Sequence, residues 1–449
     1  MVIKKISGLI KKYSGPSNIG LIRNIVLVGG IAFLVKIASF YKETVIASEI
    51  GLSELLDTFF LALIVPTFVQ QVFINSLKNL FVPNYITEQT NGENIKSFQS
   101  LAFLLVIGLA IALSILSLVF IEFFLYYVFP NHEETYYDLI KMQFYYVLPC
   151  LFFWGLTNFM AGLIEIANKF LVTSISAIFP AITTIFCLKF FSDVLKEKVL
   201  SVGLLSGCIL SFLFILFFAL KYKVLHLGKP KFSENSRMMI KQFPPKVSSG
   251  LLSGLNNFVD QFFAAQLVVG SIAALNYGKK IPAFLVGILI LALGNVLLPH
   301  FSKLTNQNMV KAFKQLFKIL KVLFIVTLFA AIFLILGSYE IIALLFERNE
   351  FTSEDTLIVA DIQKIALIYV PFYLCTLVTV KFLTAINKNV FMAWASLWNL
   401  ILNLVLNYIF IKLYGLYGLM LSTTCVYILN SFIYVGFTIG QYRLHLKNE

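Results

Sequence analysis

The sequence predicts an all-α integral membrane protein of about twelve transmembrane helices, built as two parallel six-helix repeats. Three observations carry that prediction. Hydrophobic residues make up 59% of the 449-residue chain and charged residues only 13%, about half the charged share of an ordinary soluble domain. So little charge cannot cover a water-facing surface, and lipid must be the main solvent. Apolar runs of spanning length recur along the chain, and the second half echoes the first.

The first stretch, Met1 to Pro16, interleaves Lys4, Lys5, Lys11 and Lys12 with Ile3, Ile6, Leu9 and Ile10 and shows no small-residue cleavage site. It is expected to be a retained interfacial helix rather than a removed signal peptide. Apolar runs long enough to span follow near 25–47, 56–82, 99–127, 142–165, 168–190 and 199–221, then near 246–269, 272–298, 316–338, 357–384, 389–411 and 414–440.

Loop charge orients these runs. The loops around Glu49 and Glu54, around Glu133, Glu134 and Asp138, and around Glu347, Glu350 and Glu354 are acidic. The N-terminus, the loop with Lys223, Lys229, Lys231, Arg237, Lys241 and Lys246, and the loop with Lys303, Lys311 and Lys314 are basic. The alternation places both termini in the cytoplasm. It also explains the +13 net charge as topogenic, so no nucleic-acid partner is expected. Cys150, Cys187, Cys208, Cys375 and Cys425 lie in or beside apolar runs without CxxC spacing and read as core residues.

Shifting the chain by 216 positions aligns Val65–Pro83 with Ile281–Pro299: Pro66 meets Pro282, Phe68 meets Phe284, Asn79 meets Asn295 and Pro83 meets Pro299. Ser97 onwards then echoes Ala312 onwards, and Ala-Asn-Lys at 167–169 recurs as Ile-Asn-Lys at 386–388. An even number of spans per repeat gives both halves one orientation, with the substrate site expected between them. The divisions are a six-helix bundle over 1–221, a basic cytoplasmic linker over 222–245 and a second bundle over 246–449.

Charge inside the membrane is costly and marks function. Lys36, Lys42 and Glu43 fall in the first run, Asp57 opens the second, Asp260 sits in the seventh, and Lys279 and Lys280 sit in the eighth. Lysines from both halves are expected to line one cationic cavity suited to an anionic head group such as a diphosphate, with Asp57 orienting a lysine or meeting a sugar hydroxyl. Asn399, Asn403 and Asn407 form a polar stripe at helical spacing, either helix–helix glue or, with Asp260, a cation site. His132, His226, His300 and His445 fall in loops or at span ends, and no HExxH, GxSxG or phosphate loop is present. A transporter rather than an enzyme is expected.

The stretch VKIASFYKETVIASEIGLSELLDTFFLALIVPTFVQQVFINSLKNLFVP, from Val35 to Pro83, resembles the start of the MurJ/MviN lipid II flippases. Lys36 stands at that family's first arginine, Lys42-Glu43 at its Arg-acid pair, Asp57 at its aspartate and Lys280 at a later arginine. The resemblance implies a fold shared with the multidrug exporters and flipping of an undecaprenyl-diphosphate-linked saccharide, the peptidoglycan precursor lipid II, across the bacterial cytoplasmic membrane by alternating access. It implies diphosphate binding by Lys36, Lys42 and Lys280, no tightly bound cofactor, and a coupling sodium held by Asp260, Asn399 and Asn403. Membrane lipid is the other partner, and protein partners are unknown. Flipping of O-antigen or capsule units, cation-coupled drug export and a membrane-embedded glycosyltransferase are the alternatives. Two departures are plain: Gln70-Gln71 replace an arginine pair, and Lys279 replaces an aspartate. Family members usually have fourteen helices, against twelve apolar runs here.

Overall fold

The computed structural model describes residues 19–90, 94–128 and 132–448, leaving aside the side chains of residues 19–28, 249, 252, 253, 257, 291–296, 447 and 448. The amphipathic stretch Met1–Pro16 lies outside the described residues, as does the side chain of Asn295 in the repeat. Regular structure among the described residues is helical, apart from an isolated bridge between Arg348 and Phe351.

Long helices fall on every apolar run. The first half holds α1 (Ile19–Ile50), α2 (Glu54–Thr90), α3 (Ile95–Phe123), α4 (Glu134–Ile166), α5 (Phe170–Phe190) and α6 (Val199–Lys221). The second holds α7 (Glu234–Ala264), α8 (Ser271–Gly278, continued through Lys279 into Lys280–Gln307), α9 (Met309–Leu336) and α10 (Ser353–Ala385). The last stretch, Asn389–Asn448, breaks at Gly415 (φ 55°, ψ −130°) into α11, 389–414, and α12, 416–448. With Asn389–Leu446 taken as one helix, nine helices among the described residues are long and apolar enough to cross a membrane.

Helix α7 begins well before the apolar run at 246. Ser233 caps it by accepting from the Ser236 amide at 3.1 Å, and the helix continues through Pro244 and Pro245. Its first turns are polar, so hydropathy alone does not detect them.

The repeat recurs in backbone detail. Asn94 caps α3 by accepting from the Ser97 amide at 3.3 Å, and Asn308 caps α9 by accepting from the Lys311 amide at 2.6 Å. Asn168 ends α4 with φ 59° and Asn387 ends α10 with φ 57°. The lysine after each donates its amide five residues back, Lys169 to Ile164 and Lys388 to Leu383. Both are left-handed helix caps, a conformation asparagine tolerates better than most residues.

The halves meet where α2 leans on α7 and α8. Gly250 and Gly254, four apart, let α7 approach α2 at Phe68 and Val72; a Cβ on Gly250 would lie 3.2 Å from the Val72 carbonyl oxygen. This is the small-residue spacing that lets membrane helices pack backbone to backbone. At the same place α2 carries a π-helical turn, Gln70–Ile74, just past Pro66. Proline removes an amide from the ladder and a π-turn widens it, which gives α2 its irregular middle at the interface.

Candidate functional site

Three charged groups converge at the boundary of the halves. Glu43 of α1 places Oε1 2.8 Å from Lys42 Nζ and Oε2 3.0 Å from Lys280 Nζ of α8. The Glu43 side chain is only 12% exposed, against 25% for Lys42 and 27% for Lys280. A carboxylate taken this far from water needs such partners, because an unpaired buried charge costs several kcal/mol. Lys36, seven residues before Glu43, reaches α8 too: a Cβ on Gly287 would lie 2.5 Å from its ammonium. Lys36 itself has no carboxylate within ion-pair distance among the described residues. The four groups together carry an excess of two positive charges.

Asp57 and Lys279 depart from their expected roles. Asp57 neither orients a lysine nor faces a cavity. It is buried, and its carboxylate accepts from the Gly270 amide at 2.7 Å and the Ala273 amide at 2.8 Å, capping α8 from across the interface. Lys279 turns away from Lys280 and pairs with Asp260 at 3.0 Å. The lysines therefore do not line one cavity. A central space of about 310 Å³ is bounded by Ile64, Thr67, Phe68 and Gln71 of α2, by Gly254, Phe258, Asp260, Gln261 and Ala264 of α7, and by Ile272, Leu275, Asn276 and Lys279 of α8. Lys279 is its cation; Lys36, Lys42 and Lys280 stand outside its lining.

The Asp260 cluster can be tested against the expected sodium. Oδ1 accepts from the side-chain amides of Asn403 at 3.2 Å and Asn407 at 3.1 Å. Oδ2 accepts from Lys279 and, at 3.2 Å, from the Thr423 hydroxyl. Three N–H donors therefore surround the carboxylate, with the Thr423 hydroxyl shared between Asp260 and the Leu419 carbonyl at 3.1 Å. Asn403 and Asn407 turn N–H groups toward Asp260, whereas sodium requires oxygen. Asn399 does not reach Asp260, and its buried Oδ1 has no hydrogen-bond partner among the described residues. As arranged, the donor set fits an ammonium, not a metal ion.

Hydrogen bonds join the halves at both ends of the interface. At one end the Glu350 amide donates to the Ser48 carbonyl at 3.1 Å and the Asn349 side chain donates to the Ser48 hydroxyl at 2.9 Å. At the linker end Asn84 donates to Gln242 at 3.3 Å, and Asn235 donates to Glu88 at 2.8 Å, with Glu88 almost wholly buried. The linker itself is strapped to the start of α3: the Gly228 amide donates to the Ser100 hydroxyl at 2.8 Å and Gln99 donates to the Val224 carbonyl at 2.9 Å.

Three features of the structure lie outside the residues singled out from the sequence. Lys78 of α2 pairs with Glu165 of α4 at 3.0 Å; both were visible as charges inside apolar runs. Thr423 of α12 completes the Asp260 cluster, and a lone threonine carries no sequence signal. The Gly250–Gly254 spacing was there to be read as a helix-packing motif.

Comparison with known proteins places the chain among its relatives. A family model described as "Lipid II flippase MurJ" matches residues 46–448. A probable lipid II flippase MurJ of Buchnera aphidicola subsp. Baizongia pistaciae is 25% identical over 437 residues, covering 92% of this chain and 82% of that protein. One from Helicobacter pylori is 26% identical over 409 residues, covering 84% of this chain and 86% of its own length. Among solved structures, a lipid II flippase MurJ in an inward closed conformation superposes with a TM-score of 0.79 at 24% identity, over 92% of this chain and 87% of that one. An inward-facing MATE multidrug transporter gives a TM-score of 0.73 at 11% identity, over 94% of this chain and 99% of its own.

Proposed function

The chain belongs to the lipid II flippase MurJ family, and from that premise we propose that it carries lipid II across the cytoplasmic membrane, as a multi-pass protein, through alternating exposure of the space between its halves. The observation that supports this most directly is Glu43 held between Lys42 and Lys280. A carboxylate shared by lysines of both halves is an internal stand-in for an anionic ligand. A lipid diphosphate entering between the halves competes with Glu43 for the same ammonium groups. The excess of two positive charges among Lys36, Lys42, Glu43 and Lys280 suits a diphosphate diester, which carries about two negative charges near neutral pH.

We read the fold as twelve crossings. The nine apolar helices are joined by α1 and α7, and the break at Gly415 turns the last stretch into two. The linker end then faces the cytoplasm, as do both termini. The contacts at both ends describe a closed state, and a space of about 310 Å³ is small for a sugar–peptide head group, so the clasp at Asn84, Glu88, Asn235 and Gln242 has to part for loading. The halves then rock, and the head group leaves past Ser48 and Asn349.

Complementation tests this reading. The unmutated chain is expected to sustain growth of a bacterium depleted of every other lipid II flippase. Lys42→Ala or Lys280→Ala is expected to abolish that growth at unchanged membrane levels. Failure of the unmutated chain to complement, with rescue of an O-antigen transport defect instead, would move the substrate to another lipid-linked saccharide.

A further inference from the structure

The Asp260 cluster lies within the second half, apart from the lysines of the interface. Asp260 comes from α7, Lys279 from α8, Asn403 and Asn407 from α11, and Thr423 from α12. Four segments therefore close around one carboxylate. Its single negative charge is matched by one ammonium at 3.0 Å, so the cluster is neutral as it stands. A metal ion would bring a further positive charge, meet amide N–H groups instead of oxygens, and have to displace the lysine. The lysine also reaches the site from the central space, where its side chain is 29% exposed. Its stem is anchored beside Gly278, which packs against Ile362 of α10.

We propose that Lys279 is a tethered cation that takes the place of a dissolved one at Asp260, so that the second half of this chain closes without sodium and its transport is independent of sodium. The cluster needs a positive charge because Asp260 is 9% exposed and joined to three neutral donors. Neutral donors alone do not balance a carboxylate withdrawn from water. Lys279 supplies the charge permanently, at the high effective concentration of a group on the same chain. Remove the ammonium and the cluster keeps the ingredients of a sodium site: the freed carboxylate, the Thr423 hydroxyl and the Asn407 carbonyl oxygen, which is buried without a hydrogen-bond partner among the described residues. Hard oxygen ligands of this kind suit alkali and alkaline-earth cations.

The binding half of this inference stands apart from the transport reading, and only its transport half rests on it. The test is thermal unfolding of the detergent-purified full chain in sodium, potassium or choline chloride at equal ionic strength. The unsubstituted protein is expected to unfold at the same temperature in all three. Lys279→Ala is expected to unfold earlier in choline and to recover about 3 °C in sodium, the linkage expected at about a hundred times the dissociation constant. Ethylammonium chloride is expected to recover part of the same shift, because it returns the missing group untethered. Lys279→Met keeps the aliphatic stem and serves if the alanine variant does not accumulate. A sodium-specific rise in the unsubstituted chain overturns the proposal, and so does a folded Lys279 variant indifferent to sodium. In proteoliposomes the unsubstituted chain is expected to flip a lipid diphosphate at equal rates in sodium and choline, whereas the Lys279 variant gains a sodium dependence of at least tenfold. Absence of flipping by the unsubstituted chain in either salt would count against the transport reading and leave the melting result to decide the role of Lys279.

Discussion

Asp57 and Ala273 are 216 residues apart, the offset of the internal repeat, and they are bonded to each other: Asp57 Oδ1 accepts from the Ala273 amide at 2.8 Å. This hydrogen bond ties the halves together at the end where α2 and α8 both begin. Asp57 also takes the Gly270 amide at 2.7 Å, so one side chain satisfies two of the orphan donors with which every helix starts.

Asp57→Ala leaves both amides buried without a partner. Each such loss costs about 1–3 kcal/mol. Asp57→Asn keeps one acceptor oxygen and is expected to lose roughly half as much. Melting midpoints in detergent should fall in the order unsubstituted, Asn, Ala. An alanine variant as stable as the parent would mean that Asp57 does not cap α8.

Glu43→Gln tests the competition between the internal carboxylate and the substrate. The substitution keeps the shape but removes the charge from Lys42 and Lys280. Binding of a lipid diphosphate by the purified protein is expected to tighten by about tenfold, the effect of a 1.4 kcal/mol change in affinity. Transport is expected to slow, since release of the head group then lacks a returning anion. Weaker binding by the glutamine variant would argue that Glu43 positions the lysines instead of competing for them.

Gly287 leaves room for the Lys36 ammonium, which a methyl group would meet at 2.5 Å. The neighbour is the far end of a flexible side chain, so Gly287→Ala should fold and insert normally while moving the ammonium. Initial flipping rate is expected to drop several-fold, with Gly287→Ser giving a similar loss. Unchanged rates in both variants would release Lys36 from substrate binding.

Hydropathy exposed the spans because a bilayer imposes one demand on every helix: a long apolar surface. It missed the start of α7 because the polar turns from Glu234 onwards are not bounded by that demand. The repeat was visible as prolines and asparagines in register. The structure explains the asparagines, since Asn168 and Asn387 adopt the same left-handed cap. Site residues were harder to place. Charge inside an apolar run identified Lys42, Glu43, Asp260, Lys279 and Lys280, but spacing along one chain does not say which partner each selects. Lys279 and Lys280 are neighbours in sequence, yet one pairs with Asp260 and the other with Glu43. Successive residues on a helix point about 100° apart, so adjacent lysines serve different clusters. Asp57 was misread for another reason: its partners are backbone amides, which every sequence has everywhere.

The clasp at the linker end gives the alternating motion a direct test. Asn84 and Gln242 are bonded across the halves at 3.3 Å, and Glu88 and Asn235 at 2.8 Å. Loading from the cytoplasm requires these pairs to separate, whereas a rigid channel would leave them in place. Cysteines substituted at Asn84 and Gln242 and bridged by a short reducible reagent should hold this end shut. Growth supported by the doubly substituted chain is expected to stop on bridging and to resume after reduction. Each single cysteine variant should be indifferent to the reagent, because the native cysteines Cys150, Cys187, Cys208 and Cys375 are buried and Cys425 is partly so. Transport that continues with the bridge fully formed would show that this end need not open, and the head group would have to enter elsewhere.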